Sequence, residues 1–465
     1  MPMKRPARRL VPLSLLTALA IPITGARAQD AAEPTATVRP FLASTSTSFV
    51  LDNARIVDGT GAPAREGWSL VIEDGLIAAI GSSAEIVAPP DAERIDLTGH
   101  TILPGLIMMH EHLMYASGNG GDEVWDAHPN SIPKLLLAAG VTTARTAGAE
   151  APQIDINLKR RIDNGTAVGP TLFTGPYLNG PEGAFLGDFV VESAEEAREV
   201  VRFWVGRGAT VIKVYQNISP DALRGAVEEA HRLGAHVAGH LGPGTSCTQA
   251  ARLGIDTLEH GFGVCGADIP AEWLADPTAA DPNAPEVTAV IETLVEHGVV
   301  IVATPIVWPP SDEELAMLSA HQRTLYEALL ASPPPFLDPP PERRAFGTAI
   351  TRAFVAAGGT MLIGTDAADG NVPGYANHAA MIQMAEVFSP LEVIKMATSD
   401  AAGFLKIADR TGRVAVGLEA DLLIVRGAPD RDMDDVGNVA YVFKDGRAYD
   451  STKLREAAKG LIGLH

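Results

Sequence analysis

Pro104-Gly105-Leu106-Ile107-Met108-Met109-His110-Glu111-His112 is the stretch on which the fold turns. An apolar run, 106–109, ends in a His-x-His pair. In a strand, alternate side chains face one way, so both imidazoles point to one side and Glu111 to the other. Two imidazoles on one face form a partial site for a divalent transition ion. The pair alone is a weak signal. Its meaning depends on what the other strands bring to the same place.

Working outward, similar runs end in groups able to bind a metal. Lys213 lies in Val211-Ile212-Lys213-Val214-Tyr215, and His240 closes His236-Val237-Ala238-Gly239-His240. His260 follows Thr257-Leu258-Glu259, and Asp366 follows Met361-Leu362-Ile363-Gly364-Thr365. Strands are expected at 106–112, 141–146, 171–174, 210–215, 236–240, 257–260, 299–304 and 360–365. Helical periodicity fills most gaps, most clearly at 193–205, 220–233, 286–296 and 341–356. Strands alternating with helices predict an α/β chain of the parallel (β/α)8 TIM-barrel kind. Its rival is an open doubly wound sheet. A barrel gathers the C-terminal ends of its strands at one mouth, where these distant residues would meet.

Both ends read as β-structure of one kind. Strand patterns at 49–57, 69–73 and 77–80 flank an Asp74-Gly75 turn; 421–425 and 439–444 precede an Asp445-Gly446 turn. One small β-sandwich assembled from both termini is the economical reading. The expected divisions are a signal peptide at 1–28, a disordered leader at 29–46, and sandwich parts at 47–98 and 411–450. The barrel would occupy 99–410 and a C-terminal tail 451–465. Long connections at 262–285 and 308–340 are expected to wall the pocket.

Lys4, Arg5, Arg8 and Arg9 precede an apolar stretch, and Ala26-Arg27-Ala28 gives a cleavage pattern. That predicts export to the periplasm or beyond, with no membrane attachment after the signal is removed. The formal charge of −21 disfavours nucleic acid and anionic membranes as partners. Only two cysteines, Cys247 and Cys265, are present, which excludes a cysteine-rich zinc module. A single bridge between them stays open in an oxidising compartment. Gly261-Phe262-Gly263-Val264-Cys265-Gly266 spells a dinucleotide fingerprint but lacks its strand–helix context. No Gly-x-Ser-x-Gly occurs, which argues against a serine hydrolase.

Lys213 is costly to bury as a lone ammonium. It is an outward lysine, a buried ion pair, or an amine carboxylated by carbon dioxide and so made a ligand. Asp366, just past a strand, can bind metal and take a proton, or cap the next helix. His378 and Arg145 are candidates for contacting substrate, Arg145 through a substrate carboxylate. His231 and His236 read as structural.

Taken together these stretches resemble the amidohydrolase superfamily, and within it the exported prolidase and dipeptidase-like branch. The resemblance runs from about residue 48 to 448. It implies a binuclear centre: His110, His112 and Asp366 on one divalent ion, His240 and His260 on the other. N6-carboxylysine at Lys213 would bridge them. Asp366 would also be the general base and Tyr215 a substrate contact. Zinc is the expected metal for this nitrogen and oxygen set. The implied reaction is attack by a metal-bridging hydroxide on the C–N amide bond of a dipeptide or N-acyl amino acid. Aromatic amides such as ochratoxin-type conjugates fall within that chemistry. A lactonase or phosphotriesterase on the same centre is the alternative enzyme, and a non-catalytic binding protein the alternative class. A homo-oligomer is expected. Two positions depart from the pattern: Met108 stands where an acidic residue is frequent, and Thr146 where Asp is.

Overall fold

The computed structural model describes residues 33–117, 124–182, 189–270, 273, 281–306, 309–331, 341–368 and 370–464. The expected signal peptide lies outside them. Among the described residues no helix is long and apolar enough to cross a membrane.

Strands from both ends of the chain share one eight-stranded sheet. Its order is Arg447–Tyr449, Val439–Lys444, Leu422–Arg426, His100–Pro104, Phe49–Ile56, Arg65–Glu73 and Leu76–Ser82, with Glu93–Asp96 also pairing to Phe49–Ile56. Both predicted turns form. Asp74 and Gly75 have φ of 50° and 79°, and Asp445 and Gly446 have 52° and 72°. Positive φ at both central residues is what a two-residue hairpin with native twist requires. Phe49 and Phe443 sit three strands apart, yet their ring centroids are 5.2 Å apart, edge to face. The sheet therefore curls around a core that includes Leu51, Leu70, Ile102 and Ile424.

Two of the expected divisions differ from the structure. His100–Pro104 belongs to the terminal sheet, pairing with Leu422–Arg426, so the division falls after Pro104. The chain changes sheets at Gly105, where a Cβ would lie 2.2 Å from Thr142 Oγ1. The leader is ordered from residue 33 in part: Val38 and Leu42 are buried, and Ala43 N donates to Ala448 O. The tail is structured too. Helix Ser451–Glu456 is capped by the Asp450 carboxylate, and Ile462 bridges to Leu318. Buried apolar side chains at Leu42, Leu454 and Ile462 supply the driving force in both segments.

Every predicted central strand is present and parallel to its neighbours. One sheet runs Thr171–Phe173, Val141–Thr146, Leu106–Glu111. A second runs Phe189–Val190, Tyr177–Asn179, Val211–Val214, His236–Gly239, Thr257–Glu259, Val300–Ala303, Met361–Ile363. Backbone bonds link the two sheets. Thr365 N and Asp366 N donate to His110 O at 2.9 and 3.0 Å, and Thr210 N donates to Thr174 O at 2.9 Å. Helices between strands start and stop where their sequence dictates. In Pro220–Leu233, Ser219 caps Ala222 N and Gly234 ends the helix at φ 80°. Ala222, Leu223, Ala226 and Ala230 form its buried stripe.

Candidate metal centre

The expected ligands all stand at or just past the C-terminal ends of parallel strands, on one edge. His110 lies in Leu106–Glu111 and His112 follows it; Lys213 lies in Val211–Val214. His240 follows His236–Gly239, His260 follows Thr257–Glu259, and Asp366 comes just after Met361–Ile363. Close approach of two strand ends depends on Gly364, where a Cβ would sit 2.3 Å from His110 Cβ. Glu111 faces the other way, as alternation requires. It accepts hydrogen bonds from Thr365 Oγ1 (2.9 Å) and Asn377 Nδ2 (2.8 Å), and burial pushes its carboxyl up to about 8.

Asp366 is the hub. Its Oδ1 lies 2.9 Å from His112 Nε2 and 3.2 Å from His110 Nε2, and its Oδ2 lies 3.5 Å from His260 Nδ1. The other nitrogens of the first pair are engaged elsewhere. His110 Nδ1 is 2.7 Å from Glu259 Oε2, and His112 Nδ1 is 3.4 Å from the Tyr177 hydroxyl. His260 Nδ1 also meets Thr304 Oγ1 at 3.0 Å. The His240 ring centroid lies 4.3 Å from that of His260 and 4.6 Å from that of Tyr215, tilted against both. His110, His260 and Asp366 each offer a donor atom within 4.8 Å of the others, so this group could hold a metal ion.

Electrostatics favour the ligand states. Burial lowers the pKa of His112, of His260, and of His240 to about 3, keeping the imidazoles neutral with lone pairs to give. Burial works against the Asp366 carboxylate, but the neighbouring His110 and His260 hold it well below the ordinary range. Lys213 is 1% exposed, and among the described residues its Nζ has no hydrogen-bond or ion-pair partner. Burial brings its pKa down to about 8, so the nucleophilic free amine is accessible near neutral pH. Strain concentrates here as well. Asp366 and His260 have φ of 55° and 63°, the left-handed region that non-glycine residues seldom occupy.

Two expected substrate contacts are elsewhere. Arg145 is 0% exposed; its guanidinium donates to Glu259 Oε1, Thr257 Oγ1 and Met109 O. It has no free surface for a substrate carboxylate. His378 donates from Nε2 to Ala139 O at 2.7 Å. Ala139 precedes the start of strand Val141–Thr146, so His378 lies at the strand end opposite the histidine cluster. Tyr215 does join the cluster, beside His240 and 5.9 Å from the ring of Tyr177.

Sequence reading missed Glu259, Tyr177 and Thr304. A carboxylate alternating with Thr257 along one short buried strand was the available sign for Glu259. Nothing local marked Tyr177. Its ring fits only because Gly148 opposite, at φ 99°, has no Cβ, which would lie 2.3 Å from it.

The segment after His260 is pinned back to the preceding helix, Cys247–Leu253. Cys247 and Cys265 form a disulfide with Cα atoms 5.3 Å apart. The Asp268 carboxylate accepts from Cys247 N at 2.6 Å and from Thr248 N at 3.3 Å. Cross-linking residues separated by 18 positions restricts the unfolded chain by about 3 kcal/mol. Cys247→Ser/Cys265→Ser is expected to lose about that much in urea unfolding; an unchanged midpoint would contradict it.

Residues 101–449 match the amidohydrolase family. The chain is similar to an ochratoxinase from Aspergillus niger, 25% identical over 457 residues, covering 85% of each protein. Among solved structures, a Xaa-Pro dipeptidase with methionine in its active site aligns over 87% of this chain and 100% of that one (TM-score 0.65, 23% identity). Molinate hydrolase aligns over 87% and 95% (TM-score 0.66, 20% identity). The match over most of the chain, with histidine and aspartate groups at one strand edge, makes this protein a hydrolytic enzyme acting on amide bonds and a member of the amidohydrolase family.

Proposed function

We propose that the chain is an exported binuclear metallohydrolase that releases an amino acid from an amide, either a dipeptide or an N-acyl amino acid with an aromatic acyl group. The two parallel sheets, linked at His110 and at Thr174, are read as one closed (β/α)8 barrel, with the curled terminal sheet as its β-sandwich companion. The observation that carries this reading is the orientation of the His-x-His pair. Both Nε2 atoms turn toward Asp366 Oδ1 while both Nδ1 atoms are occupied outside the cluster. Metal-binding histidines show that division of labour.

His110, His112 and Asp366 would hold one divalent cation, and His240 and His260 the other; zinc suits the donors. Lys213, buried and, among the described residues, without a hydrogen-bond or ion-pair partner, would bridge them as the carbamate. Its neutral amine adds to carbon dioxide, forming one N–C bond and releasing one proton. When bound, the cations would acidify water and polarise the amide carbonyl. Asp366, whose side chain is 36% exposed, takes the proton of the attacking water and passes it to the leaving nitrogen. Tyr215 borders the substrate. The methionine in the active site of the similar Xaa-Pro dipeptidase supports a product amino acid.

Metal analysis and a substrate panel test this. Freshly purified full-length enzyme is expected to carry about two ions per chain and to lose turnover on chelation. Xaa-Pro dipeptides and aromatic N-acyl amino acids should be cleaved. Fewer than about one ion per chain would remove the metallohydrolase reading. Exclusive turnover of lactones or phosphotriesters would move the activity to the alternative electrophiles.

A further inference from the structure

We propose that Glu259 and Arg145 are a buried positioning pair that fixes which nitrogen His110 presents at the site. The inference rests on the reading of His110 as a metal ligand.

Three features carry it. His110 Nδ1 meets Glu259 Oε2 at 2.7 Å, a carboxylate oxygen that can only accept, and the ring turns its Nε2 toward Asp366 Oδ1 at 3.2 Å. The other carboxylate oxygen, Oε1, accepts from Arg145 Nη2 at 2.7 Å and from Thr257 Oγ1. Arg145 is fixed in turn by Met109 O (2.6 Å) and Thr257 Oγ1 (3.0 Å). Met109 adjoins His110 in the same strand, so the relay begins and ends on one segment.

Both charges are fully buried. Replacing a buried pair by apolar side chains is often neutral for stability, so stability alone gives little reason to bury one here. The function left to it is orientation. A carboxylate behind an imidazole fixes ring and tautomer and raises ligand basicity, and losing such a partner typically weakens metal binding 10–100-fold. Arg145 keeps that carboxylate ionised and stops it rotating away from His110. Asp366 meets the ring's other nitrogen, Nε2, and does not hold Nδ1.

Two double variants of the full-length protein separate positioning from packing. Arg145→Met/Glu259→Gln removes the ion pair but keeps an amide oxygen to accept from His110. Arg145→Met/Glu259→Leu removes the pair and the acceptor. Cobalt(II) affinity, measured by chelator competition, and the cobalt absorption spectrum are the readouts. The Leu variant is expected to bind at least ~10-fold more weakly than the Gln variant, with an altered spectrum. Equal affinities would overturn the proposal, because a packing role predicts the same loss in both. Should the Leu variant not fold, Glu259→Asp serves. It keeps the charge for Arg145 but withdraws the oxygen from His110, and wild-type affinity there would overturn the proposal equally. Wild-type protein that binds no cobalt would instead remove the metal reading beneath it.

Discussion

Asp366→Asn is expected to retain bound metal and to lose hydrolysis by roughly 10²–10⁴ in kcat. The amide keeps the shape and one oxygen of the carboxylate, so the contacts to His110 and His112 survive in part. What disappears is basicity. In the native chain the neighbouring His110 and His260 hold this carboxylate well below its ordinary range, and its side chain is 36% exposed. Among the described residues, Glu259 cannot substitute, since it is fully buried and committed to Arg145. Steady-state rates with parallel metal analysis decide the matter. A near-native rate with metal bound would take Asp366 out of the proton-transfer role. Loss of metal together with loss of rate would show it acting as a ligand alone.

The second large effect is expected at Lys213. Lys213→Met fills the same buried space without an amine to carboxylate, and metal content should fall from about two ions per chain to one or fewer. Hydrolysis should fall below a hundredth of the native rate, as loss of one ion of a two-metal clamp implies. The fold should survive, because a buried side chain that has no ion-pair partner among the described residues is replaced by an apolar one. Carbon dioxide supplies an independent handle. Apoenzyme reloaded with metal in bicarbonate should recover activity faster than apoenzyme reloaded in degassed buffer. Equal recovery, or two firmly bound ions in the variant, would exclude the carbamate.

Much of this was legible in residue order. Buried parallel strands are short apolar runs, so 106–112, 236–240 and 257–260 announced themselves, each ending in a histidine. What escaped has a common physical cause. Arg145 read as a residue waiting for a substrate because its true partner, Glu259, lies 114 positions away. No local pattern reports a contact that folding creates. His378 failed for a related reason: a helix after the last strand has two ends, and sequence does not say which one reaches the mouth. The leader was misjudged because Val38 and Leu42 are isolated apolar residues. Their burial depends on surfaces supplied by other parts of the fold.

The terminal sheet has a consequence for biogenesis. His100–Pro104 takes its antiparallel neighbour, Leu422–Arg426, from the opposite extreme of the polypeptide. A ribosome delivers the early strands long before the late ones, leaving a hydrogen-bonding edge open for most of synthesis. Nascent chains stalled before Leu422 should therefore be the species most in need of chaperones.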